Sequence, residues 1–253
     1  MWHDVKMLNA AAGTLLGLFV LALLGGGLWW LAQRPMFTLK EIRIEGMETE
    51  VRRVSASTVR STALPRIKGN FFTANLGAVR AAFEAVPWVR KAAVRREWPN
   101  RLVVSLEEHV PLGTWGQEGR LLSEQGEIFV ANLAEAEEDG DLPEFAGPVG
   151  SEKEVMMRYR ELQAWFAPVN LAPGAVHLSG RYAWAVKLDN GMTVELGREQ
   201  TSTTLKERVE RLVAVYPQLV ARLQDRIENV DMRYPNGMAL KAGGLALGMG
   251  KTK

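Results

Sequence analysis

The sequence predicts an α+β protein with a single transmembrane helix at its N-terminus, a small β-α-α-β-β domain, and a larger antiparallel β-rich domain with two or more helices. Three observations lead to this fold class. A long uncharged segment begins near residue 7, alternating apolar and charged residues mark half-buried strands, and several windows repeat apolar residues at helical spacing. The predicted divisions are a tail at 1–6, the transmembrane helix at 7–33, the small domain at 37–108, the β domain at 109–241 and a flexible tail at 242–253.

The segment from Met7 to Gln33 contains no charged residue. As a helix it would be about 40 Å long, more than the ~30 Å hydrocarbon core of a bilayer. A cleaved signal peptide is the alternative, but its apolar region is usually only about 7–15 residues long and ends at small residues. Trp29 and Trp30 occupy that position here, and tryptophan is typical of the membrane interface. The sequence therefore predicts an uncleaved anchor.

Charge does not decide how this anchor is oriented. Lys6 precedes it, and the basic residues that follow it are Arg34, Lys40, Arg43, Arg52 and Arg53. The rule that cytoplasmic flanks are positive would place the folded part in the cytoplasm, yet long domains cross membranes largely regardless of their charge. Both orientations stay open at this level.

The small domain is predicted from four segments. A strand covers Phe37 to Gly46, and short helices follow near Ser57–Ala63 and after Asn75, which has the side chain of an N-cap. The hairpin "PWVRKAAVRREWPNRLVVSLEEHVP" completes the domain, with two strands joined at "WPN". One of its faces is apolar and the other charged, as expected for a sheet with one buried and one solvated face. Trp88 and Trp98 are predicted to be packing residues.

A second hairpin is predicted in the larger domain at "RYAWAVKLDNGMTVELG". Apolar residues alternate on both sides of Asn190-Gly191, a dipeptide that favours two-residue turns. The residues expected to share its apolar face are Tyr182, Trp184, Val186, Leu188, Met192, Val194 and Leu196. Helices are predicted to begin near Ser151 and Thr204, where apolar residues recur at helical spacing.

Composition argues against several classes of function. The net charge is +2 with 24% charged residues, whereas nucleic-acid binding needs concentrated and uncompensated Lys and Arg. There are no cysteines, which excludes disulfides, thiolate metal sites and a cysteine nucleophile. His109 beside Glu107 and Glu108 is the one pattern of a base with an orienting carboxylate, and a surface histidine at a strand end is the favoured interpretation. The sequence predicts a protein that is not an enzyme and binds no cofactor or metal.

Several motifs resemble the FtsQ/DivIB family of bacterial cell-division proteins. The family pattern "PWV-x-x-A-x-V-R-R-x-WP", followed by "E-x-x-P-x-x-x-W", is matched at Pro87, Trp88, Val89, Ala92, Val94, Arg95, Arg96, Trp98, Pro99, Glu108, Pro111 and Trp115. Further matches are "GNFF" at 69–72, "GEIF" at 126–129, "LPEFAGPVGSE" at 142–152, "LDNGMTVELGR" at 188–198 and "VDMRYPNGMAL" at 230–240. The resemblance therefore covers nearly the whole chain in the expected order.

The resemblance implies a single-pass protein of the inner membrane, with a cytoplasmic tail at 1–6 and its bulk in the periplasm, located at the division septum. The small domain would be a POTRA domain, and the protein would be a non-enzymatic scaffold that links FtsB, FtsL and other division proteins. The tail is shorter than in many relatives, so a cytoplasmic contact through it is not expected here.

Two sets of residues are predicted to contact partners. By resemblance, the segment "VDMRYPNGMAL" receives FtsB by strand addition at Arg233, Tyr234, Asn236 and Gly237, and we expect it to be the last strand, at or beside a sheet edge. The alternative is that Tyr234 caps the core and that Asn236-Gly237 only turns a hairpin. A POTRA contact face is predicted at Lys91, Arg95 and Arg101, with a merely solvated face as its alternative.

Two other functions compete with the scaffold. A POTRA protein of outer-membrane assembly or secretion would need a transmembrane barrel or repeated POTRA modules, and the sequence predicts one module beside one apolar anchor. A membrane-anchored cell-wall enzyme would need a catalytic set of residues, which the motifs do not supply.

Overall fold

The computed structural model describes residues 5–47, 51–116, 119–223, 227–234 and 237–243, with side chains from residue 7 onward. The predicted N-terminal tail up to residue 4, Asn236, and the chain from residue 244 lie outside these ranges. The chain divides between Glu108 and His109 into two compact units, and each has a hydrophobic core of its own. The predicted α+β class is confirmed.

The chain opens with helix α1, Val5–Ala32. Its segment Met7–Ala32 is long and apolar enough to cross a membrane, and none of it is buried inside the protein. No other helix among the described residues meets that test. The helix fits a single-pass membrane anchor, as the sequence predicts.

The small domain has the predicted order β-α-α-β-β. Its elements are β1 (Glu41–Gly46), α2 (Ala56–Thr62), α3 (Leu76–Glu84), β2 (Val89–Glu97) and β3 (Arg101–Glu108). The strands form one sheet in the order β1-β3-β2, in which β3 is parallel to β1 and antiparallel to β2. Both β1 and β2 are therefore edge strands of this sheet.

Side-chain oxygens hold the helices of this domain at their N-termini. Asn75 Oδ1 accepts a hydrogen bond from the backbone N–H of Ala78 at 3.1 Å, which confirms the predicted N-cap of α3. The carboxylate of Glu108 accepts from three successive backbone N–H groups, those of Arg52, Arg53 and Val54, at 2.7–3.0 Å. The end of β3 thereby fixes the chain that leads into α2.

The apolar face of the sheet packs on the two helices, as predicted, but the charged face also buries a residue. Val103, in the middle of β3, is fully buried although it lies on the solvated side. Its register partners are Arg43 on β1 and Arg95 on β2. Arginines therefore flank Val103 on both neighbouring strands of this face.

The two tryptophans of the hairpin differ in how deeply they are buried. Trp88 is buried just before β2, as predicted for a packing residue. Trp98 lies in the connection between β2 and β3 and is 75% exposed, so the packing prediction is wrong for it. Its place in the turn carries its side chain beyond the end of the sheet, out of reach of the core.

Within its described residues, the second unit has a nine-stranded sheet and three α-helices. Its elements are β4 (Pro111–Trp115), β5 (Arg120–Ser123), β6 (Ile128–Val130), α4 (Leu133–Ala136), β7 (Glu144–Ala146), α5 (Glu152–Phe166), β8 (Pro173–Leu178), β9 (Ala183–Leu188), β10 (Thr193–Arg198), α6 (Thr204–Leu223), β11 (Ile227–Asp231) and β12 (Ala239–Ala242). The order of the strands is β12-β11-β10-β9-β8-β7-β4-β5-β6.

The pairing of these strands is mixed, although the sequence predicts an antiparallel sheet. The pairs β4–β7, β7–β8 and β10–β11 are parallel, and the others are antiparallel. Helix α5 connects β7 to β8, and helix α6 connects β10 to β11. A parallel pair needs a crossover of this kind, so each of the two long helices forms a β-α-β unit with its neighbours.

The predicted hairpin at 181–197 is confirmed as β9 and β10. Six of its seven predicted apolar positions are buried, and Gly191 turns the chain with φ of +85°. Tyr182 is the exception, since it precedes β9 at a positive φ and is exposed. The buried positions belong to the same core as Leu162 of α5 and Leu205 of α6.

Candidate partner-binding site

The predicted last strand, "VDMRYPNGMAL", is two strands with a connection between them. Strand β11 ends at Asp231 and β12 begins at Ala239. Met232 still donates its N–H to the carbonyl of Glu195 at 2.9 Å, and its side chain is fully buried. The chain leaves the sheet at Arg233, whose N–H turns back to Asp231 Oδ1 at 3.0 Å. The edge strand is therefore β12, and Arg233 and Tyr234 lie in the segment that leads to it.

Arg233 forms a two-point contact with Asp231. Its Nε lies 2.9 Å from Oδ1 of Asp231, and its Nη2 lies 2.6 Å from Oδ2. This hydrogen-bonded guanidinium lowers the pKa of the Asp231 carboxyl below its ordinary value, and the carboxylate in turn raises the pKa of Arg233. A guanidinium has five N–H donors, so the pair leaves both donors of Nη1 for another carboxylate.

A basic cavity of about 330 Å³ lies beside Arg233. The residues that line it are Ser179, Arg181, Ala183, Gly197, Arg198, Gln200, Arg208 and Arg233. Four of these are arginines, and no carboxylate of the described chain is among them. The cavity can therefore accept a negatively charged group.

Arg208 of α6 is one of the residues that line this cavity. It is a buried charged residue, and its Nη1 donates to the carbonyl of Leu196 at 2.6 Å and to that of Arg198 at 3.0 Å. Gly197 lies between them at φ +76°, where a Cβ would stand 2.8 Å from Cγ of Arg233. The absence of a side chain at 197 thus lets the stem of Arg233 cross the end of β10.

Tyr234 does not cap the core, because its side chain is 56% exposed. Its carbonyl accepts a hydrogen bond from Nη1 of Arg211, on α6, at 3.3 Å. A Cβ added at Gly237 would meet nothing within 4 Å. Asn236 lies outside the described residues. The structure thus brings Arg233, Tyr234 and Gly237 to one connection beside the edge strand.

The predicted POTRA contact face carries a chain of ion pairs. Arg95 contacts Glu45 at 3.7 Å and Glu97 at 4.0 Å, and Arg101 contacts Glu97 at 4.0 Å. Two further pairs extend the chain to both ends of β1, Arg43–Glu45 at 3.2 Å and Arg101–Glu41 at 2.9 Å. Lys91 lies further along the edge strand β2 and is exposed. The face therefore exposes charges of both signs, with Arg95 and Arg101 already paired within it.

The carboxylates next to His109 are engaged elsewhere. Glu107 accepts from Nε of Arg90 at 2.8 Å, and Glu108 accepts from the three backbone N–H groups before α2. His109 stacks on Phe129 with 4.2 Å between ring centroids and has its Nδ1 4.0 Å from Glu127. Glu107 and Glu108 therefore stabilise the structure of the small domain.

The arginines near Arg233 were not predicted from the sequence. Arg208 and Arg211 lie three residues apart on α6, and Arg208 stands among the buried apolar positions Leu205, Val209 and Leu212. A charged residue inside an apolar stripe is an unusual signal, because burial of a charge is unfavourable unless it is hydrogen-bonded. That signal could have identified Arg208.

An apolar anchor followed by a POTRA domain and a mixed sheet with a short edge strand defines a membrane-anchored POTRA protein. Two family models match the chain: "POTRA domain, FtsQ-type" over residues 37–109, and "Cell division protein FtsQ/DivIB, C-terminal" over residues 113–233. The chain belongs to the FtsQ/DivIB family of cell-division proteins, and its role is in the division machinery.

Full-length relatives agree with the family models. The chain is 54% identical to "Cell division protein FtsQ" of Burkholderia pseudomallei over 245 residues, which cover 97% of this chain and 96% of the relative. It is 45% identical to the protein of the same description from Bordetella pertussis, with 95% and 92% covered, and 29% identical to that of Coxiella burnetii, with 94% of each covered. The similarity thus extends over both units and the anchor.

Proposed function

We propose that this chain is a non-enzymatic scaffold of the division machinery, anchored in the inner membrane at the septum with its folded units in the periplasm. It receives FtsB, in complex with FtsL, at the hairpin of β11 and β12. The observation that best supports this proposal is the position of β12 at the edge of the sheet, next to the exposed ring of Tyr234.

Strand addition is the binding mode that this edge favours. Strand β12 pairs with β11 on one side, and no strand of the described chain covers its other side. An edge strand offers backbone N–H and C=O groups that an extended segment can pair with. Leu240, 38% exposed on β12, adds an apolar contact. FtsB would thus extend the nine-stranded sheet by one strand.

The residues before β12 supply the side-chain contacts. Tyr234 presents a large ring with a polar tip, a side chain that is enriched among residues dominating interface affinity. Gly237 leaves open space, so the partner backbone can approach it closely. Asn236 completes the predicted set.

The charges around Arg233 favour an acidic partner segment. Arg233 keeps the donors of Nη1 for a second carboxylate, and Arg181 and Arg198 add positive charge to the adjoining cavity. Acidic side chains of the bound strand would therefore point toward this cavity. Electrostatic complementarity of this kind fixes the register of a partner and speeds its association.

The POTRA face provides a second contact surface in this proposal. Strand β2 is an edge strand of nine residues and carries Lys91 and Arg95, while Arg101 begins the neighbouring strand. Because Arg95 and Arg101 are already paired with glutamates, a partner would have to match an alternating pattern of charge.

The test of the FtsB site is Tyr234→Ala in the full-length protein, reconstituted in nanodiscs and titrated with the FtsB–FtsL complex. Loss of an anchoring tyrosine should weaken binding by about 2 kcal/mol, or roughly 30-fold. The unfolding temperature should stay nearly unchanged, because the ring is exposed.

The matched control is Val130→Ala, an exposed side chain on β6 at the opposite edge of the same sheet, which should leave the affinity unchanged. A large drop in the unfolding temperature of Tyr234→Ala, with unchanged affinity per folded molecule, would assign Tyr234 to the core and contradict the proposal.

Topology and the absence of catalysis need separate measurements. A reporter fused after Lys253 should be active as alkaline phosphatase, which works only when exported, and β-galactosidase activity from such a fusion would overturn the periplasmic assignment. The purified protein should release no muropeptides from cell-wall sacculi, and release would support the enzyme alternative.

A further inference from the structure

The end of α1 is attached to the POTRA domain through side chains as well as through the chain itself. Asn70 Nδ2 donates to the carbonyl of Ala32, the last residue of α1, at 2.8 Å. The N–H of Phe71 donates to the carbonyl of Phe37 at 2.9 Å, and the rings of Phe37 and Phe72 meet edge to face at 4.8 Å. The loop "GNFF" is thus held against the end of the anchor.

The turn between β2 and β3 lies at this same end of the domain. Lys40, just before β1, donates its N–H to the carbonyl of Asn100 at 3.1 Å. Arg96, at the end of β2, donates from Nε to the carbonyl of Phe71 at 2.7 Å and from Nη2 to that of Ala74 at 2.8 Å. Trp98 in the turn and Phe72 in the loop therefore belong to one end of the POTRA domain, the end at which α1 is attached.

The large apolar side chains at this end are exposed. Trp98 is 75% exposed, Phe72 is 49% exposed, and Met36 is exposed as well. The core of the domain includes none of the three. Together with Trp29 and Trp30 at the end of α1, they form a group that we call the apolar tip. Clusters of exposed apolar residues on a folded domain mark surfaces that bind a membrane or another protein.

The length of the anchor places the apolar tip at the membrane surface. A helix from Met7 to Ala32 rises about 39 Å, close to the ~40–45 Å of a bilayer with its headgroup regions. Ala32 therefore lies among the headgroups, and Phe72 is only two residues, at most about 7 Å of chain, from the Asn70 that binds Ala32. Tryptophan is enriched at the membrane interface, and interfacial helices bury phenylalanine rings at the boundary between headgroups and acyl chains.

Basic residues surround the apolar tip. Arg34 lies over the ring of Trp30, 3.6 Å from its centroid. Lys40, just before β1, and Lys68, just before the loop "GNFF", are exposed. Anionic lipid headgroups attract basic residues at the membrane surface. Apolar rings with cations beside them favour binding to an anionic lipid surface. A purely apolar patch would be equally suited to binding a protein.

We propose that the apolar tip docks the POTRA domain onto the outer leaflet of the membrane that α1 spans, with Phe72 and Trp98 inserted at the level of the headgroups. The inference rests on the proposed topology, in which α1 is a membrane anchor and the folded units are periplasmic, and it is independent of FtsB binding. The domain is then held upright on the membrane by three points, namely the end of α1, the loop "GNFF" and the turn "WPN".

The absence of cysteines permits a direct measurement of depth. The variants Phe72→Cys and Trp98→Cys are labelled with a nitroxide in the full-length protein, which is reconstituted in nanodiscs of phosphatidylcholine and phosphatidylglycerol. Collisions with a water-soluble nickel chelate and with oxygen report whether each label lies in lipid. The matched control is Ala85→Cys, an exposed position at the C-terminal end of α3, near the start of β2. Strand β2 carries the chain about 26 Å from that end to the apolar tip.

At positions 72 and 98 we expect collisions with nickel to be several-fold rarer than at position 85, and collisions with oxygen to be more frequent. Discs of phosphatidylcholine alone should reduce the difference, because the cations lose their anionic partners. Labels at 72 and 98 that are as accessible to nickel as the label at 85 would overturn the proposal and leave the apolar tip free for a protein partner.

A second variant tests whether the apolar tip acts as a unit. Phe72→Ser, combined with the label at position 98, should make that label several-fold more accessible to nickel, because one of the inserted rings is lost. Met47→Ser, which changes a partly exposed apolar residue beyond the other end of β1, should not. Circular dichroism should first establish that each variant is folded, and equal effects of the two folded serine variants would contradict docking by the apolar tip.

Discussion

Arg233 and Asp231, two residues apart, form a bidentate ion pair. Both carboxylate oxygens of Asp231 accept hydrogen bonds from the guanidinium of Arg233, at 2.9 and 2.6 Å. The pair stands where β11 ends and the chain turns toward β12. Because the backbone N–H of Arg233 donates to the same carboxylate, Asp231 fixes both the side chain and the main chain at this point. The orientation of the connection to the edge strand thus depends on the ionised form of one aspartate.

Because of this ion pair, we expect the stability of the folded protein to depend on pH. The pKa of Asp231 is lowered, chiefly by the side-chain hydrogen bond from Arg233, so the ionised form stabilises the folded state. The contribution is complete above the ordinary aspartate pKa of about 3.9 and is lost as the pH falls through the lower pKa of the folded state. Asp231→Asn should therefore lower the unfolding temperature at pH 7, and the difference from the parent protein should shrink in strong acid.

Thermal unfolding followed by circular dichroism at several pH values measures this difference. Asp141→Asn, an exposed aspartate in a loop, is the control and should show no such difference at pH 7. A deficit of Asp231→Asn that stays constant from pH 7 into strong acid would contradict the assignment.

Gly197→Ala should destabilise the second unit and displace Arg233. The new Cβ would stand 2.8 Å from Cγ of Arg233, and the backbone would be held at φ +76°. Gly191→Ala is the matched control, because Gly191 has φ +85° with open space around it. Both variants carry the backbone strain of roughly 1–3 kcal/mol, and only Gly197→Ala adds the clash. Chemical denaturation should thus show the larger loss in the free energy of unfolding for Gly197→Ala. Equal losses in the two variants would mean that the side chain of Arg233 moves away from the new Cβ without destabilising the protein.

Arg208→Met should be among the more destabilising single changes in α6. It removes the donor to the buried carbonyl of Leu196 and to the partly buried carbonyl of Arg198. A hydrogen bond to a charged group contributes about 1.5–3 kcal/mol, so a loss of this size is expected. Arg222→Met, at an exposed position of the same helix, should change the free energy of unfolding by less than about 0.5 kcal/mol. Similar values for the two variants would show that water replaces the guanidinium.

Arg95→Glu separates a contact role of the POTRA face from a solvated one. The change places a third carboxylate beside Glu45 and Glu97, but exposed pairs are worth only about 0–1 kcal/mol, so the fold should survive. If the face binds a partner, recruitment of a fluorescent fusion to the septum should fall. Arg80→Glu, which breaks an exposed pair with Glu84 on α3, should leave recruitment intact. Normal recruitment of Arg95→Glu would favour a solvated face.

Local patterns in the sequence predicted the elements well, and pairings between distant strands poorly. The hairpin of β9 and β10 could be predicted because alternation and the Asn190-Gly191 turn both act within a few residues. The parallel pairing of β10 with β11 depends on α6 returning the chain across the sheet, which no local pattern encodes. Mixed pairing in the second unit was therefore not predicted.

At the candidate site, too, local sequence patterns did not predict contacts between residues that are distant in the sequence. An edge strand near the chain's end was expected from the segment 230–240, but the turn at Arg233 depends on the carboxylate of Asp231 and on the space above Gly197. Trp98 was predicted to be a packing residue, but it lies in the turn between β2 and β3 and is exposed, which the local sequence did not indicate. Hydrophobicity alone does not distinguish a core residue from one that faces a membrane.

The two hydrophobic cores share no residue, one being built around Phe83 and the other around Trp184. In genetic terms, missense alleles of this gene should fall into two groups, because a change that unfolds one unit leaves the core of the other intact. A cell that carries one allele of each group then contains both working units, but never in the same molecule. Growth of such a cell would mean that the two units can do their work from separate chains, and filamentation would mean that one chain has to supply both.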